Sequence, residues 1–190
     1  MHYLSGYLSP LGPMTLACRV GEGMPDGGAV TGAWFDGQEH DREGLPDGAV
    51  SLKPGDEEPV VLAQARAWLD AYFAGHDPGP PPAVAPHGTA FQERVWAQLR
   101  LIPRGATTTY GAIAADIEAA SGGRCSARAV GGAVGRNPVS ILVPCHRVLG
   151  ANGSLTGYAG GTGRKTALLR LEGAAIPDAG QPQDHPTRNH

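Results

Sequence analysis

A run of prolines and glycines near the middle of the chain limits most strongly how this sequence can fold. Five prolines and three glycines fall within residues 75–88. Proline lacks a backbone N–H group and glycine has no side chain to pack, so this stretch cannot continue a helix and favours an extended, polyproline-like conformation. We therefore predict a linker at residues 76–88, which separates an N-terminal domain (residues 1–75) from a second domain (residues 89–175).

The N-terminal domain has the pattern of a small sheet covered by a helix. Three short segments rich in aromatic and β-branched residues are separated by turns with proline and glycine, which predicts an antiparallel meander over residues 3–8, 15–20 and 29–35. Apolar residues then recur at helical spacing from Val61 to Tyr72, which predicts an amphipathic helix over residues 59–74. The polar, acidic stretch between them, residues 36–58, is expected to form irregular surface chain.

The second domain is predicted to be mainly helical. Thr89 and Gln92 have the spacing of a capping box, and apolar residues at helical spacing follow until Pro103. Further helices are expected over about residues 111–119, from Ser126 to about residue 136, and over about residues 164–173. The middle two, separated by a Ser-Gly-Gly turn, form a helix-turn-helix. The predicted fold class is therefore α+β, with a small N-terminal antiparallel sheet and covering helix before a mainly helical domain.

The second helix of this pair is almost bare of side chains. Alanines and glycines occupy most of residues 127–135, although each interior glycine costs about 1 kcal/mol relative to alanine. Either another helix packs tightly against it, or it lies in a nucleic-acid groove with Arg128 and Arg136 projecting from it. Residues 1–88 contain 4 Lys and Arg against 12 Asp and Glu, whereas residues 89–175 contain 10 against 4. A basic second half indicates a polyanionic partner such as nucleic acid.

An apolar run over residues 141–148 contains a cysteine directly beside a histidine. A thiol attacks as its thiolate, so the imidazole of His146 can serve as the base that activates Cys145. We expect extended backbone here, which points the two side chains to opposite faces and favours a bridging water between them. The alternative is a buried core cysteine beside a chance histidine.

Several other classes of protein are disfavoured. The chain has three widely separated cysteines, Cys18, Cys125 and Cys145, and no Cys-x-x-Cys pair. This pattern indicates neither a disulfide framework nor a zinc knuckle. The glycine-rich stretch 157–166 departs from a phosphate-binding loop because Arg164 intrudes before Lys165.

No run approaches the roughly 18 apolar residues of a membrane span, and the start has no signal-peptide pattern, so we expect a cytoplasmic protein. Residues 176–190 are expected to form a disordered tail.

Four ordered motifs carry a resemblance to a known family: Arg128-Ala129-Val130-Gly131, Asn137-Pro138, Pro144-Cys145-His146-Arg147-Val148 and Gly157-Tyr158-Ala159-Gly160-Gly161. Over about residues 89–173 the chain resembles the methylated-DNA–protein-cysteine methyltransferases, also called O6-alkylguanine-DNA alkyltransferases. The resemblance implies DNA repair in which O6-alkylguanine is flipped out of double-stranded DNA, approached from the minor groove. The alkyl group then moves to Cys145 irreversibly and once per protein. It also implies a monomer that needs no cofactor and no metal.

The resemblance implies roles for individual residues. Cys145 would accept the alkyl group, His146 would act through water as its base, and Glu172 would orient His146 and support its charge. Tyr110 would turn the adjoining phosphate and help to stabilise the leaving guanine. Asn137 would tie the recognition helix to the active-site segment.

Further implied residues contact DNA and the flipped base. Arg128 would enter the base stack, and the same helix would face DNA through Ala129, Gly132 and Arg136. The implied substrate pocket consists of the backbone carbonyls of Cys145 and Val148, the backbone N–H of Ala159, and the side chains of Tyr158 and Lys165.

The chain departs from the family pattern in two places, and three other functions fit its residues less well. The segment between Tyr110 and Arg128 is longer than usual, which alters the turn. In the N-terminal domain Cys18 is the one available thiol ligand and its strand pattern points it to the core, so we predict no zinc. A non-catalytic alkylated-base binding protein of the same fold would lack Cys145. A Cys-His hydrolase has no use for the bare helix, and a plain helix-turn-helix regulator leaves Glu172 unexplained.

Overall fold

The computed structural model describes residues 1–25 and 27–176. The strands are β1 (His2–Ser9), β2 (Gly12–Arg19), β3 (Ala29–Phe35), β4 (Val50–Ser51), β5 (Thr108–Thr109) and β6 (Val148–Leu149). The helices are α1 (Val60–Phe73), α2 (Ala90–Leu99), α3 (Tyr110–Ser121), α4 (Ala127–Gly135) and α5 (Thr162–Leu171). From residue 177 onward the predicted disordered tail lies outside the described residues. None of the described helices is long and apolar enough to cross a membrane.

A four-stranded sheet in the order β3-β2-β1-β4 forms the N-terminal half. β1, β2 and β3 pair antiparallel, as predicted, whereas β4 joins β1 in parallel. The expectation of irregular chain throughout residues 36–58 is therefore wrong at β4, whose two exposed residues carry no apolar pattern. α1 packs on the sheet, as predicted, through a buried stripe: Val61, Leu62, Ala65, Leu69 and Tyr72.

The outer edge of β3 is covered by two segments that come from beyond the N-terminal domain. Val30 pairs with residues 83–85 through two backbone hydrogen bonds of 2.8 Å, so part of the proline-rich segment lies against the sheet. Ala33 pairs in the same way with residues 138–140, again through two bonds of 2.8 Å. This second pairing fixes the chain just before Cys145 against the N-terminal sheet.

The first helix of the C-terminal half begins as predicted. The hydroxyl of Thr89 accepts from the backbone N–H of Gln92 at 3.2 Å, and Gln92 Oε1 accepts from the backbone N–H of Thr89 at 2.8 Å. These two bonds complete the capping box and satisfy donors that a helix start leaves free. Trp96 in the same helix donates from Nε1 to the carbonyl of Ala133 at 2.8 Å, which joins α2 to α4.

α3 and α4 form the predicted helix-turn-helix. α3 ends at Gly122, whose φ of 68° is the left-handed conformation that glycine adopts without steric cost. Ser126 caps α4 by accepting from the backbone N–H of Ala129 at 3.1 Å. The last helix, α5, starts at Thr162, two residues earlier than predicted, and Glu172 follows its final residue.

Candidate active site and nucleic-acid interface

Cys145 is the first residue of a single 3-10 turn, Cys145–Arg147, and is 4% exposed. The prediction of extended backbone at Cys145 and His146 is therefore wrong. The preceding chain is bent: Ile141 has a φ of 72°, and Pro144, at the start of the turn, has φ −82° and ψ 63°. A continuous buried apolar run has no hydrophobic period, so it does not distinguish a strand from such a turn.

Asn137 holds the sulfur of Cys145. Its Nδ2 lies 3.0 Å from Cys145 Sγ and 2.9 Å from the carbonyl oxygen of Val143, and its Oδ1 accepts from the backbone N–H of Val139 at 3.0 Å. Asn137 is 3% exposed and lies two residues after the end of α4. The amide therefore joins the end of the recognition helix to the loop that carries the thiol.

The surroundings of Cys145 keep it a thiol at rest. Burial raises its pKa, because a thiolate loses hydration in the protein interior. The hydrogen bond from Asn137, the positive charge of Lys165 and the backbone N–H groups of Cys145 and His146 oppose this rise without cancelling it. A base is therefore needed to generate the thiolate at neutral pH.

His146 and Glu172 supply that base and its partner. His146 Nε2 lies 2.8 Å from Glu172 Oε1, and both side chains are fully buried. Burial lowers the pKa of His146, so its imidazole is neutral at neutral pH. For Glu172, burial opposes ionisation, but hydrogen bonds from His146 and Arg147 outweigh it and hold its pKa well below the ordinary value.

The protonation states select one tautomer of His146. Because Glu172 is an ionised acceptor, the proton of the neutral imidazole resides on Nε2, which donates to it. Nδ1 is then the basic nitrogen, and it is buried without a protein hydrogen-bond partner among the described residues. An unprotonated buried nitrogen on the residue that follows Cys145 is suited to general-base activation of its thiol.

Sequence reasoning missed two residues that complete this network. Arg147 donates from Nε to Glu172 Oε2 and from a terminal nitrogen to Oε1, both at 2.8 Å. Tyr72, from α1, donates its hydroxyl to Glu172 Oε1 at 2.8 Å. Arg147 could have been noticed because it follows His146 directly. Tyr72 gave only a weak signal, a hydroxyl-bearing residue on an otherwise apolar helix stripe.

Lys165 and Tyr110 line the other side of Cys145. Lys165 is fully buried, and its ammonium donates to the carbonyl of Val148 and, at 3.3 Å, to that of Thr156. Burial lowers the pKa of Lys165 to about 8, with Cys145 opposing the shift. The hydroxyl of Tyr110 also donates to Thr156 O, at 2.8 Å, and burial with the neighbouring Cys145 raises its pKa to about 12.

Tyr158 and Ala159 complete this side of the site. Tyr158 is 7% exposed, and burial followed by the proximity of Cys145 raises its pKa well above the ordinary value. The carbonyl of Ala159 accepts from the backbone N–H of Glu39 at 3.2 Å, so the glycine-rich loop is tied to the N-terminal half. A cleft of about 310 Å³ lies between this loop and α4, where Tyr158 faces Gly132 and Arg136.

The bare face of α4 points outward. Arg128, Ala129, Gly132 and Arg136 are exposed, whereas the buried side of the helix holds Val130, Ala133 and Val134. A Cβ atom added at Gly132 or Gly135 would meet no heavy atom within 4 Å. These glycines therefore serve no contact within the described chain, and the alternative of tight helix packing is wrong for this face. The guanidinium groups of Arg128 and Arg136 make no hydrogen bond or ion pair with other described residues.

The structure thus brings together eight of the residues singled out from the sequence, as one connected set that includes the thiol: Tyr110, Asn137, Cys145, His146, Val148, Tyr158, Lys165 and Glu172. Ala159 adjoins Tyr158, and its hydrogen bond is to Glu39. The residues of α4 predicted to bind DNA lie instead on its outer face, and this helix approaches the pocket at Gly131, where an added Cβ would lie 3.9 Å from the ring of Tyr110. Within residues 1–25 and 27–176, no group of three or more His, Cys, Asp or Glu side chains could hold a metal ion. The absence of a metal requirement remains a prediction.

Fold and site together define a class: a small α+β protein in which a helix-turn-helix adjoins a buried cysteine with an attached histidine and glutamate. A sequence model of the 6-O-methylguanine DNA methyltransferase DNA-binding domain matches residues 90–174. The methylated-DNA–protein-cysteine methyltransferase of Methanosarcina acetivorans is 42% identical over 172 residues, 90% of this chain and 99% of the relative. The chain therefore belongs to the methylated-DNA–protein-cysteine methyltransferase family, as the motifs suggested.

Two further comparisons support the assignment. The enzyme of the same name from Mycobacterium tuberculosis is 49% identical over 120 residues, 63% of this chain and 70% of the relative. The crystal structure of Mycobacterium tuberculosis OGT in complex with DNA superposes with a TM-score of 0.70 at 39% identity, covering 90% of this chain and 92% of that one. The predicted α+β fold class is confirmed by this match.

Proposed function

We propose that this protein repairs O6-alkylguanine in double-stranded DNA by moving the alkyl group to Cys145. The observation that carries the proposal is the set formed by Asn137, Cys145, His146 and Glu172, because it combines a held sulfur, a basic nitrogen and a fixed counter-charge. The outward face of α4 begins beside this set and supplies the means to bind DNA. The names of the relatives support DNA repair by alkyl transfer.

The chemistry is a direct substitution at the alkyl carbon. The thiol proton of Cys145 passes through one water to His146 Nδ1, and the resulting imidazolium is stabilised by Glu172. The thiolate forms a bond to the alkyl carbon as the bond from that carbon to guanine O6 breaks, and the electron pair stays on the guanine. The guanine then takes up one proton and the His146 imidazolium gives up, through water, the one that it accepted, so that a thioether, an unmodified guanine and a neutral imidazole result. Tyr110 lies where its hydroxyl can help to stabilise the departing base.

The pocket residues hold the flipped base. Lys165 places its positive charge beside Cys145 and occupies one lone pair of the Val148 carbonyl, which leaves the other lone pair for the guanine edge. Tyr158 forms the wall next to the alkyl group, and the backbone N–H of Ala159 faces the base. These side chains are buried before DNA binds, so little ordering of the pocket accompanies base entry.

DNA binds along α4 from its minor groove. Ala129 has only a methyl group and Gly132 has no side chain, so the helix backbone can approach the groove closely. Arg136 contacts the phosphate backbone. Base flipping costs a few kcal/mol in lost stacking and pairing. Arg128, exposed and without a partner among the described residues, enters the stack and offsets part of that cost. Because one chain carries both the helix and the thiol, a monomer is sufficient for each lesion.

The reaction consumes the protein. A thioether is not readily hydrolysed, and no second nucleophile among the described residues is placed to release Cys145. Each molecule therefore repairs one lesion.

Mixing the protein with duplex oligonucleotide that carries a single O6-methylguanine tests this proposal. We expect one methyl group to leave the DNA per protein molecule, with no further repair when more substrate is added. Tight binding without loss of the methyl group would identify instead a non-catalytic alkylated-base binding protein. Repeated turnover would exclude an irreversible acceptor.

A further inference from the structure

α1, the helix of the N-terminal half, contacts the buried pair formed by His146 and Glu172. The hydroxyl of Tyr72, near the end of α1, donates to Glu172 Oε1 at 2.8 Å and lies 3.5 Å from His146 Nε2. Tyr72 is fully buried, and its partner Glu172 lies 100 residues further along the chain. Among the described residues of the N-terminal half, Tyr72 contacts both His146 and Glu172.

Groups from both halves of the molecule fix the ring of Tyr72. Trp68 stacks on it with ring centroids 5.4 Å apart, and Phe73 packs edge-on at 5.4 Å. The guanidinium of Arg104 lies 5.0 Å from the ring centroid. Arg104 also donates to the carbonyl of Gly75, just after α1, at 3.3 Å. It donates as well to the carbonyl of Leu171, the last residue of α5, at 3.2 Å. The phenol therefore has little freedom to leave Glu172.

The hydroxyl acts on Glu172 as a proton donor only. Burial and then the neighbouring Glu172 raise the pKa of Tyr72, so the phenol keeps its proton. Glu172 Oε1 therefore accepts three hydrogen bonds of 2.8 Å, from Tyr72, His146 and Arg147. Each donor lowers the proton affinity of the carboxylate. A weakly basic carboxylate in a fixed position leaves the imidazole proton on Nε2.

We propose that Tyr72 is a positioning residue for alkyl transfer, which acts through Glu172 to hold His146 with its proton on Nε2 and Nδ1 available to Cys145. This role rests on the proposed function. The other charged or titratable groups that face the pair are Arg147 on the 3-10 turn, Arg104 after α2, and Lys165 on α5. The substitution Tyr72→Phe leaves all three of these side chains in the protein.

The variant Tyr72→Phe removes the hydroxyl and keeps the ring. With one donor fewer, Glu172 becomes more basic and attracts the imidazolium more strongly, so the pKa of His146 rises. More of His146 is then protonated at a given acid pH, and Glu172, without the phenol, holds the imidazole less firmly in position. Because a hydrogen bond to a charged group is involved, we expect alkyl transfer to slow about tenfold. The acid limb of the pH–rate profile should move to higher pH.

Tyr7→Phe is the matched control. Tyr7 is also buried, and its hydroxyl donates at 2.9 Å to a carboxylate on α1, Asp70, but at a site away from Cys145. Each variant therefore loses one tyrosine hydroxyl that donates to a carboxylate. In Tyr7→Phe that carboxylate is Asp70, and in Tyr72→Phe it is Glu172. A merely structural effect of Tyr72→Phe would lower thermal stability, as we expect for Tyr7→Phe, without moving the pH profile.

The experiment measures the single-turnover rate of alkyl transfer from free O6-benzylguanine to the full-length protein across acid to alkaline pH. A slower Tyr72→Phe with a shifted acid limb, next to an unchanged Tyr7→Phe, supports the positioning role. A Tyr72→Phe profile that coincides with wild type overturns it while leaving the proposed function intact. If the free base does not react with the wild-type protein, an O6-methylguanine duplex replaces it as substrate in the same comparison. Absence of transfer from both substrates overturns the proposed function itself, and the positioning role with it.

A measurement on the unaltered protein covers the case in which Tyr72→Phe fails to fold. The 15N chemical shifts of His146 report which ring nitrogen carries the proton. We expect a protonated Nε2 and a bare Nδ1 at neutral pH. A proton found on Nδ1 would contradict the proposal without any variant.

Discussion

Asn137 Nδ2 lies within hydrogen-bonding distance of Cys145 Sγ, at 3.0 Å, and holds the sulfur from just beyond the end of α4. The same nitrogen lies 2.9 Å from Val143 O, so one side chain orients both the thiol and the loop before it. The contact also lowers the pKa of Cys145 against the effect of burial.

Replacing Asn137 by alanine should weaken both fold and reactivity. The buried backbone N–H of Val139 would lose its acceptor, Asn137 Oδ1, which costs about 1–3 kcal/mol of unfolding free energy. Loss of the contact to Cys145 should raise the thiol pKa further and slow reaction with O6-benzylguanine. Asn152→Ala serves as the control, because Asn152 is exposed and its Oδ1 bonds only a loop N–H, that of Ser154, at 3.1 Å. Urea unfolding and single-turnover rates check both effects, and equal losses in the two variants would contradict the role of Asn137.

Arg128 should matter for duplex DNA and not for the free base. Because only duplex repair requires flipping, Arg128→Ala should slow repair of an O6-methylguanine duplex about ten- to hundredfold. Its reaction with free O6-benzylguanine should stay near the wild-type rate. Lys53→Ala, which removes one exposed positive charge from the N-terminal half, controls for the change in net charge. If Arg128→Ala slowed both reactions equally, the assignment of Arg128 to the base stack would be wrong.

Gly132 tests whether the bare face of α4 is kept for DNA. A Cβ added there meets no atom within 4 Å, and leucine is a better helix former than glycine by up to about 1 kcal/mol. Gly132→Leu should therefore be at least as stable as wild type. It should bind duplex DNA roughly tenfold or more weakly, since the added side chain obstructs close approach.

Ala97→Leu adds a comparable side chain at an exposed position of α2 and should change neither property. Fluorescence anisotropy with a labelled duplex, together with thermal unfolding, makes the comparison. Unchanged duplex binding by Gly132→Leu would show that α4 does not contact DNA through this face.

Glu172 should give the fold a dependence on acid pH. Its pKa in the folded protein lies below its ordinary value of 4.5, so its stabilising contribution is fully present above pH 4.5 and is lost as the pH falls further. Glu172→Gln leaves the guanidinium of Arg147 buried without a counter-charge, which costs about 3–5 kcal/mol at neutral pH. The difference from wild type should shrink in acid.

Glu58→Gln provides the contrast for that measurement. A hydrogen bond from Arg66 also lowers the pKa of Glu58, but this side chain is partly exposed, so its replacement should cost only about 0–1 kcal/mol. Urea unfolding as a function of pH compares the two variants. A stability loss in Glu172→Gln that did not vary with pH would argue against an ionised Glu172 in the folded protein.

Local signals in the sequence were sufficient for most of the regular structure. The capping residues Thr89 and Ser126 predicted two helix starts correctly because a cap acts within one turn. Alternation and turn residues located the first three strands in the same way. β4 was missed since two exposed residues held by backbone pairing leave no side-chain pattern.

The site could be predicted only in part. The motif around Cys145 named the thiol and its neighbouring base, but not the 3-10 turn that carries them, because every residue of that run is buried. The contact between Tyr72 and Glu172 joins positions 100 residues apart, and no local period encodes such a pair. It depends on how the two halves pack, which only the folded chain defines.

Peptide mapping of the protein after reaction with O6-methylguanine duplex tests the central claim most directly. The chain has three cysteines, so Cys18 and Cys125 serve as internal controls within the same digest. We predict that the peptide containing Cys145 gains one methyl group, that the other two remain unmodified, and that Cys145→Ala removes no methyl group from the DNA. A methyl group on another residue, or continued demethylation by Cys145→Ala, would contradict the assignment of Cys145 as the acceptor.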